Sequence, residues 1–179
     1  IPNIDISAPT SEEELENILD FSLNIEKPLA IRIPKDTPYS YKFSNYEYGK
    51  WNKVREGNKY MIIACGVMFS EVMKIEKEIG ELLDAAIVSA AWIRPFDIEF
   101  IKKEFPKFKK VIILEDGIEK SGFGTEILEY VNDLDIDTKI IRKGIKQKFL
   151  PHAKRSELLE EEKLTGKSLL DDILMKVRD

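Results

Sequence analysis

A short basic run, Arg32-Ile33-Pro34-Lys35, follows an apolar stretch that begins at Leu29. Residues 29–33 are typical of a short β-strand, and Pro34 predicts that the strand stops there. Because proline restricts the backbone, Lys35 is expected to project rigidly from the strand tip. An ammonium group at such a tip can hold a phosphate or a carboxylate. An exposed loop lysine without a ligand is the alternative.

Two carboxylates, Glu115 and Asp116, follow an apolar run that ends at Leu114. Ligands of open α/β sheets bind at the carboxyl ends of strands. Paired acids at this place have the chemistry to bind a metal ion or to transfer a proton. No flanking residues have matching ligand spacing, which weakens that interpretation.

A glycine turn, Gly122-Phe123-Gly124-Thr125, lies between the same strand and the next predicted helix. Free N–H groups at a helix N-terminus attract anions, which makes Gly122, Gly124 and Thr125 a candidate anion site. The full dinucleotide fingerprint needs a third glycine where this chain has Ile127. Acidic residues around the turn would also repel an anion. A packing turn without a ligand is therefore the favoured interpretation.

His152 and Cys65 are the only residues of their types in the chain. A single histidine excludes a multi-histidine metal site. We expect His152 to be a surface or capping residue, with a substrate contact as the alternative. Cys65 ends an apolar run and is expected to be buried and inert, because nucleophilic work would need a base beside it. A lone cysteine cannot form a disulfide within the chain, which is typical of a reducing cytoplasm.

Apolar runs that alternate with helical patterns predict the fold class. The predicted strands are residues 60–64, 85–91, 110–114 and 138–141, and the predicted helices are residues 69–79, 98–105, 122–134, 156–163 and 168–177. Continuous apolar strands between helices indicate a largely parallel sheet with helices on both faces. The prediction is an α/β protein of three-layer α/β/α type.

The first part of the chain predicts one helix and one strand. Thr10 with Glu13, or Ser11 with Glu14, fits a capping box at the start of that helix. One helix and one strand cannot bury both of their faces, so they must pack on a body that is missing or supplied later in the chain. The aromatic-rich residues that follow are predicted to be a linker fixed to a surface by its rings.

Composition restricts the remaining possibilities. The chain has 179 residues, 43% hydrophobic and 34% charged, with a formal net charge of -5. That charge argues against a general nucleic-acid partner, because such binding needs clustered Lys and Arg. No apolar stretch approaches the roughly 18 residues of a membrane span, and no signal peptide is recognisable. The chain begins with Ile1 instead of Met, from which we expect a piece of a longer polypeptide.

These segments together resemble the 1-deoxy-D-xylulose-5-phosphate synthase family, within the wider transketolase group. The similarity runs in order along nearly the whole chain. Residues 28–35 resemble the family's P-x-A-x-R-Y-P-R-G motif, and residues 149–152 its F-I-P-H-G segment. The other matching segments are residues 1–9, 49–57, 93–97 (K-P-L-D in the family) and 114–125 (E-E…G-G-F-G-S).

The resemblance implies a domain organisation and an assembly. Residues 1–36 would be the remnant of a pyrimidine-binding domain, 37–57 a linker, and 58–179 a transketolase C-terminal domain with a mostly parallel five-stranded sheet. The implied partners are the cofactor-binding domains and a second copy, in a cytoplasmic homodimer. No membrane or nucleic-acid partner is implied.

The resemblance also implies an activity. Such enzymes use thiamine diphosphate and Mg²⁺ to join pyruvate, with loss of carbon dioxide, to glyceraldehyde 3-phosphate. Lys35 and Arg32 fall on motif positions expected to contact substrate. The chain departs from the motif, with Ile33 for Tyr, Lys35 for Arg and Asp36 for Gly. Lysine lacks the two-pronged guanidinium, and Asp36 adds a negative charge, so these changes leave the substrate open.

The family's G-D-G motif and its cofactor-activating glutamate do not occur in this chain. We therefore expect no catalytic residue, no metal site and no activity from the chain alone. Two alternatives remain open. One is the C-terminal part of another transketolase or of a 2-oxoacid dehydrogenase E1 beta component. The other is a regulatory module that binds a small anion at residues 122–125.

Overall fold

The protein is described by a computed structural model that covers residues 2–34, 39–43 and 45–178. Its strands are β1 (Asp5–Ser7), β2 (Leu29–Ile31), β3 (Asn52–Arg55), β4 (Tyr60–Ala64), β5 (Ala85–Ser89), β6 (Trp92–Arg94), β7 (Lys110–Ile118) and β8 (Lys139–Ile145). Its helices are α1 (Glu12–Ser22), α2 (Val67–Met73), α3 (Glu76–Leu83), α4 (Ile98–Glu104), α5 (Phe123–Asp133), α6 (Arg155–Glu161) and α7 (Gly166–Arg178).

Within these residues, five strands form a main sheet in the order β3-β5-β4-β7-β8. The pairs β5–β4, β4–β7 and β7–β8 are parallel, and β3 alone runs antiparallel, at the edge beside β5. The mostly parallel five-stranded sheet is therefore confirmed. The strand without an apolar pattern is β3, which lies in the stretch predicted to be a linker.

Helices cover both faces of the main sheet because the strands are apolar on both sides. In β7, Val111 and Ile113 face one core and Ile112 and Leu114 face the other. Helices α2, α3, α6 and α7 pack on the Ile112 side, while α1, α4 and α5 pack on the Val111 side. The predicted three-layer α/β/α architecture is confirmed.

A small second sheet joins the N-terminal segment to the rest of the chain. Strand β1 pairs in parallel with β2 and antiparallel with β6, in the order β2-β1-β6. The register places Ile6 opposite Arg94 and Ser7 opposite Trp92. The body on which the predicted helix and strand pack is thus supplied, at least in part, by residues far along the same chain.

The aromatic stretch is fixed to that body, as predicted. Tyr48 packs between Phe21 and Trp92, with ring centroids 4.9 Å from each. Its hydroxyl donates to Asp5 Oδ2 at 2.7 Å. The indole N–H of Trp51 donates to the Trp92 carbonyl at 2.9 Å.

One of the two predicted caps of α1 is observed, and one predicted helix is divided in two. Of the two capping options, the hydrogen bonds form with Ser11: its Oγ accepts from Glu14 N at 3.2 Å. The Glu14 carboxylate accepts from Thr10. The single helix predicted for residues 69–79 is two helices, α2 and α3, that meet at Lys74 and Ile75. No glycine or proline marks this break.

Candidate functional site

A cleft lies where the carboxyl ends of strands from both sheets meet. Ala8 follows β1, Arg32 follows β2, Gly66 follows β4, and Asp116 lies near the end of β7. The cleft is lined by Ala8, Arg32, Ile33, Pro34, Gly66, Val67, Asp116 and Arg155. Gly66 closes its floor, with its N–H donating to the Ala8 carbonyl at 3.1 Å and a positive φ of 53° that favours glycine. Ligands of α/β proteins bind at such strand ends.

One carboxylate in this cleft contacts two guanidinium groups. Asp116 Oδ1 lies 2.7 Å from Arg32 Nη1, and Asp116 Oδ2 lies 3.4 Å from Arg155 Nη2. Arg32 Nη2 also donates to the Asp116 carbonyl at 3.3 Å. We call these three residues the Asp116 cluster. In it, Arg32, which was predicted to contact substrate, lies beside Asp116, one of the two paired acids identified in the sequence. Nothing in the sequence pointed to Arg155.

The lysine predicted to bind substrate, Lys35, lies outside the described residues, as does Asp36. Pro34, which precedes them, lines the cleft. Ile33 replaces the tyrosine of the family motif and is 58% exposed. Residues 32–34 of the basic run therefore line the cleft.

Glu115 points away from the cleft and caps helix α5. Its Oε2 and Oε1 accept the backbone N–H groups of Phe123 and Gly124, each at 3.0 Å. Burial raises the pKa of Glu115, and these two N–H bonds act in the opposite direction. The free donors that made the glycine turn a candidate anion site therefore have an anionic partner within the chain. An external anion would have to displace Glu115.

Thr125 also forms hydrogen bonds within the protein. Its hydroxyl donates to the Glu119 carbonyl at 3.2 Å, and its Oγ1 accepts from Arg142 Nη1 at 2.7 Å. Together with the Glu115 contacts, this network supports the packing turn over an anion site. Gly122 and Gly124 leave room for the Glu115 carboxylate against the helix N-terminus.

The single cysteine and the single histidine lie in different environments. Cys65 is 2% exposed, and its thiol contacts the Leu114 carbonyl. The expected burial of Cys65 is confirmed, and burial raises the pKa of its thiol, which disfavours the nucleophilic thiolate. His152 is exposed in the loop before α6, three residues ahead of Arg155.

The described residues do not fit the cofactor that the resemblance implies. A diphosphate with Mg²⁺ needs a cluster of oxygen ligands. Across residues 2–34, 39–43 and 45–178, no group of three or more His, Cys, Asp or Glu side chains is arranged to hold a metal ion. We therefore derive no chemical step through thiamine diphosphate from these residues. In the same part of the chain, no helix is long and apolar enough to cross a membrane.

This arrangement of sheets and helices is that of a known family. Residues 49–169 match the family described as "Transketolase, C-terminal domain". The chain belongs to the transketolase C-terminal domain family.

The similar curated proteins are longer than this chain. The 1-deoxy-D-xylulose-5-phosphate synthase of Clostridium tetani is 33% identical over 177 residues, which cover 97% of this chain and 29% of the relative. The synthase of Fusobacterium nucleatum is 35% identical over 176 residues, with the same coverage. The chain thus spans less than a third of the length of these relatives.

Solved structures show the same fold. A split-gene transketolase, described as an inactive beta4 tetramer, aligns with a TM-score of 0.86 and 21% identity, covering 98% of this chain and 57% of that one. A Campylobacter jejuni transketolase aligns with a TM-score of 0.72 and 16% identity, covering 97% and 26%.

Proposed function

We propose that this chain is the C-terminal part of a thiamine-diphosphate transferase of the 1-deoxy-D-xylulose-5-phosphate synthase type. In that reaction pyruvate loses carbon dioxide, and its remaining two-carbon unit is joined to glyceraldehyde 3-phosphate. The chain serves assembly and the rim of the active site. The similarity to two named synthases over 97% of the chain supports this proposal.

The observation that carries the proposal is the contact of Arg32 with Asp116. It joins the strand tip of the small sheet to the end of β7 in the main sheet. The Arg32 side chain remains 52% exposed, so its outer face can donate to a phosphate that enters the cleft. Lys35, three residues further on, is the second cation that we assign to this phosphate.

We assign thiamine diphosphate and Mg²⁺ to polypeptide outside this chain, because no cluster of metal ligands lies among the described residues. The chain alone is then expected to bind the cofactor negligibly and to catalyse nothing. Isothermal titration of the isolated chain with thiamine diphosphate and Mg²⁺ tests this. Micromolar binding would contradict it.

A chimera tests the transferase activity directly. The matching C-terminal 29% of the Clostridium tetani relative is replaced by this chain. Carbon dioxide release and product formation are then measured with pyruvate and glyceraldehyde 3-phosphate. We expect turnover, and a roughly tenfold higher KM for the phosphorylated acceptor in the Arg32→Ala chimera, the usual scale for losing one charge-assisted contact.

The control for that chimera is Lys77→Ala, which removes an exposed cation on α3. It is expected to leave the KM unchanged. A folded, cofactor-loaded chimera that turns over neither substrate would contradict the proposed function. The departures at Ile33, Lys35 and Asp36 favour one alternative, a related enzyme with another acceptor. Turnover of pyruvate with a different aldehyde, and none with glyceraldehyde 3-phosphate, would identify it.

We also propose that the complete protein is a homodimer. The similar split-gene transketolase is described as a beta4 tetramer, which supports self-association of this kind of chain. Sedimentation equilibrium of the complete protein is the measurement, and a strictly monomeric active enzyme would contradict it.

A further inference from the structure

The two oxygens of Asp116 are divided between different parts of the chain. Oδ1 contacts Arg32, which follows β2, and Oδ2 contacts Arg155, the first residue of α6. The Asp116 side chain is 16% exposed, against 52% for Arg32 and 36% for Arg155. The carboxylate is thus the least exposed of the three charged groups, and the guanidinium groups extend toward solvent.

Arg32 contacts both the side chain and the backbone of Asp116. One guanidinium nitrogen binds the Asp116 carboxylate and the other donates to its backbone carbonyl. Two contacts from one planar group set its orientation, so little rotamer freedom remains to be lost when a further anion binds.

From this geometry we infer that Asp116 is a positioning residue, which orients Arg32 for the phosphate of the acceptor substrate. The inference rests on the proposed function. Without the negative charge of the carboxylate, the contact between Arg32 and the Asp116 side chain weakens, and the bond to the Asp116 carbonyl alone holds the guanidinium less firmly. Arg32 would then lose its orientation, and recognition of the phosphate would weaken while the reaction of the carbonyl group would not.

Acceptor discrimination in the complete enzyme that contains this chain tests the inference. We compare kcat/KM for glyceraldehyde 3-phosphate and for unphosphorylated glyceraldehyde, with pyruvate saturating. Asp116→Asn is expected to lower the preference for the phosphorylated acceptor about tenfold, mainly through KM. Asp116→Glu, which restores the charge, should recover most of that preference.

Glu126→Gln is the matched control, since Glu126 also forms an ion pair with an arginine, Arg94, outside the cleft. It should leave the preference unchanged. If Asp116→Asn lowers kcat/KM for both acceptors equally, the residue has a structural role and the inference is wrong. If the parent enzyme prefers the phosphorylated acceptor and Asp116→Asn retains that preference, the inference alone is wrong. If the parent enzyme uses neither acceptor, the proposed function is wrong and the inference fails with it.

Discussion

Gly122 lies so close to Glu115 that a Cβ atom at residue 122 would collide with both carboxylate oxygens. The turn is built around this contact, because the same carboxylate accepts the N–H groups that begin α5. The glycine is therefore required by the Glu115 side chain and by the Ile118 carbonyl, which the same Cβ would also meet.

Gly122→Ala is expected to destabilise the chain by about 1–3 kcal/mol, since the new methyl group displaces Glu115 from the helix N-terminus. The measurement is urea unfolding followed by circular dichroism. Gly80→Ala is the control, because the atoms nearest to its Cβ belong to the guanidinium end of the long Arg55 side chain, which can shift. Alanine inside α3 should be neutral or add up to about 1 kcal/mol. Equal losses in both variants would contradict this account.

Lys143 and Lys176 both contact Asp172, at 3.2 and 3.7 Å, but their side chains are 7% and 31% exposed. Lys143 also donates to the Glu162 carbonyl, which ties β8 to the C-terminal helices. Lys143→Ala is expected to cost about 3 kcal/mol, because it leaves Asp172 buried with a weaker partner. Lys176→Ala should cost less than about 1 kcal/mol. The comparison uses thermal unfolding, and a larger loss for Lys176→Ala would reverse the argument.

Asp97 connects the aromatic stretch to α4. It accepts from the Phe100 N–H at 3.0 Å as the helix cap, and from the Trp51 N–H at 3.2 Å. Asp97→Ala is expected to lose about 2–3 kcal/mol of stability, since it removes a cap and leaves a buried N–H without its acceptor. Glu99→Ala, on an exposed position of the same helix, is the control and should change stability little. The measurement is the urea unfolding midpoint of each variant. Equal midpoints for Asp97→Ala and Glu99→Ala would contradict the prediction.

Glu14 is expected to make stability depend on pH. Burial raises the pKa of Glu14 above its ordinary value near 4.5, against the opposing hydrogen bonds from Thr10. The folded protein therefore keeps this proton after the unfolded chain has lost it. The contribution is full below about pH 4.5 and is lost as pH rises through the folded-state pKa.

Glu14→Gln should flatten the fall in unfolding free energy above pH 4.5 without abolishing it, because burial also raises the pKa of Glu115. Denaturant titrations at a series of pH values give the slope. Glu16→Gln, at an exposed position of α1, should leave the slope unchanged. An unaltered slope in Glu14→Gln would show that another group carries the dependence.

In the main sheet, strands β4 and β5 and residues 110–114 of β7 were predictable because they are buried on both faces and read as nearly continuous apolar runs. The edge strand β8 is only partly buried and includes Arg142 and Lys143, so the sequence predicted no more than residues 138–141. Strands β1, β3 and β6 have three or four residues and mixed character. Their partners lie far away in sequence, so only tertiary pairing defines them. The break between α2 and α3 has no helix-breaking residue, so the sequence pattern did not predict it.

The site was predictable only in part. Arg32 and Asp116 were each identified, one by resemblance and one by its place after a strand, but their contact was not. Arg155 has no motif of its own, and its position follows from how α6 packs against the cleft. The sequence suggests metal or proton chemistry for Glu115, and the structure places its carboxylate at a helix N-terminus. The glycines that accommodate it were the available clue.

The pairing of β1 with β6 means that noncovalent contacts, and not the peptide chain that follows, hold the N-terminal segment in place. Backbone hydrogen bonds join Ala8 to Ala91 and Gly66 to Ala8. At the same junction the rings of Phe21 and Tyr48 stack on each other and pack edge to face against Trp92. A protease that cut between residues 40 and 47 would therefore produce two noncovalently associated fragments. These would migrate together under native conditions and separate only in denaturant.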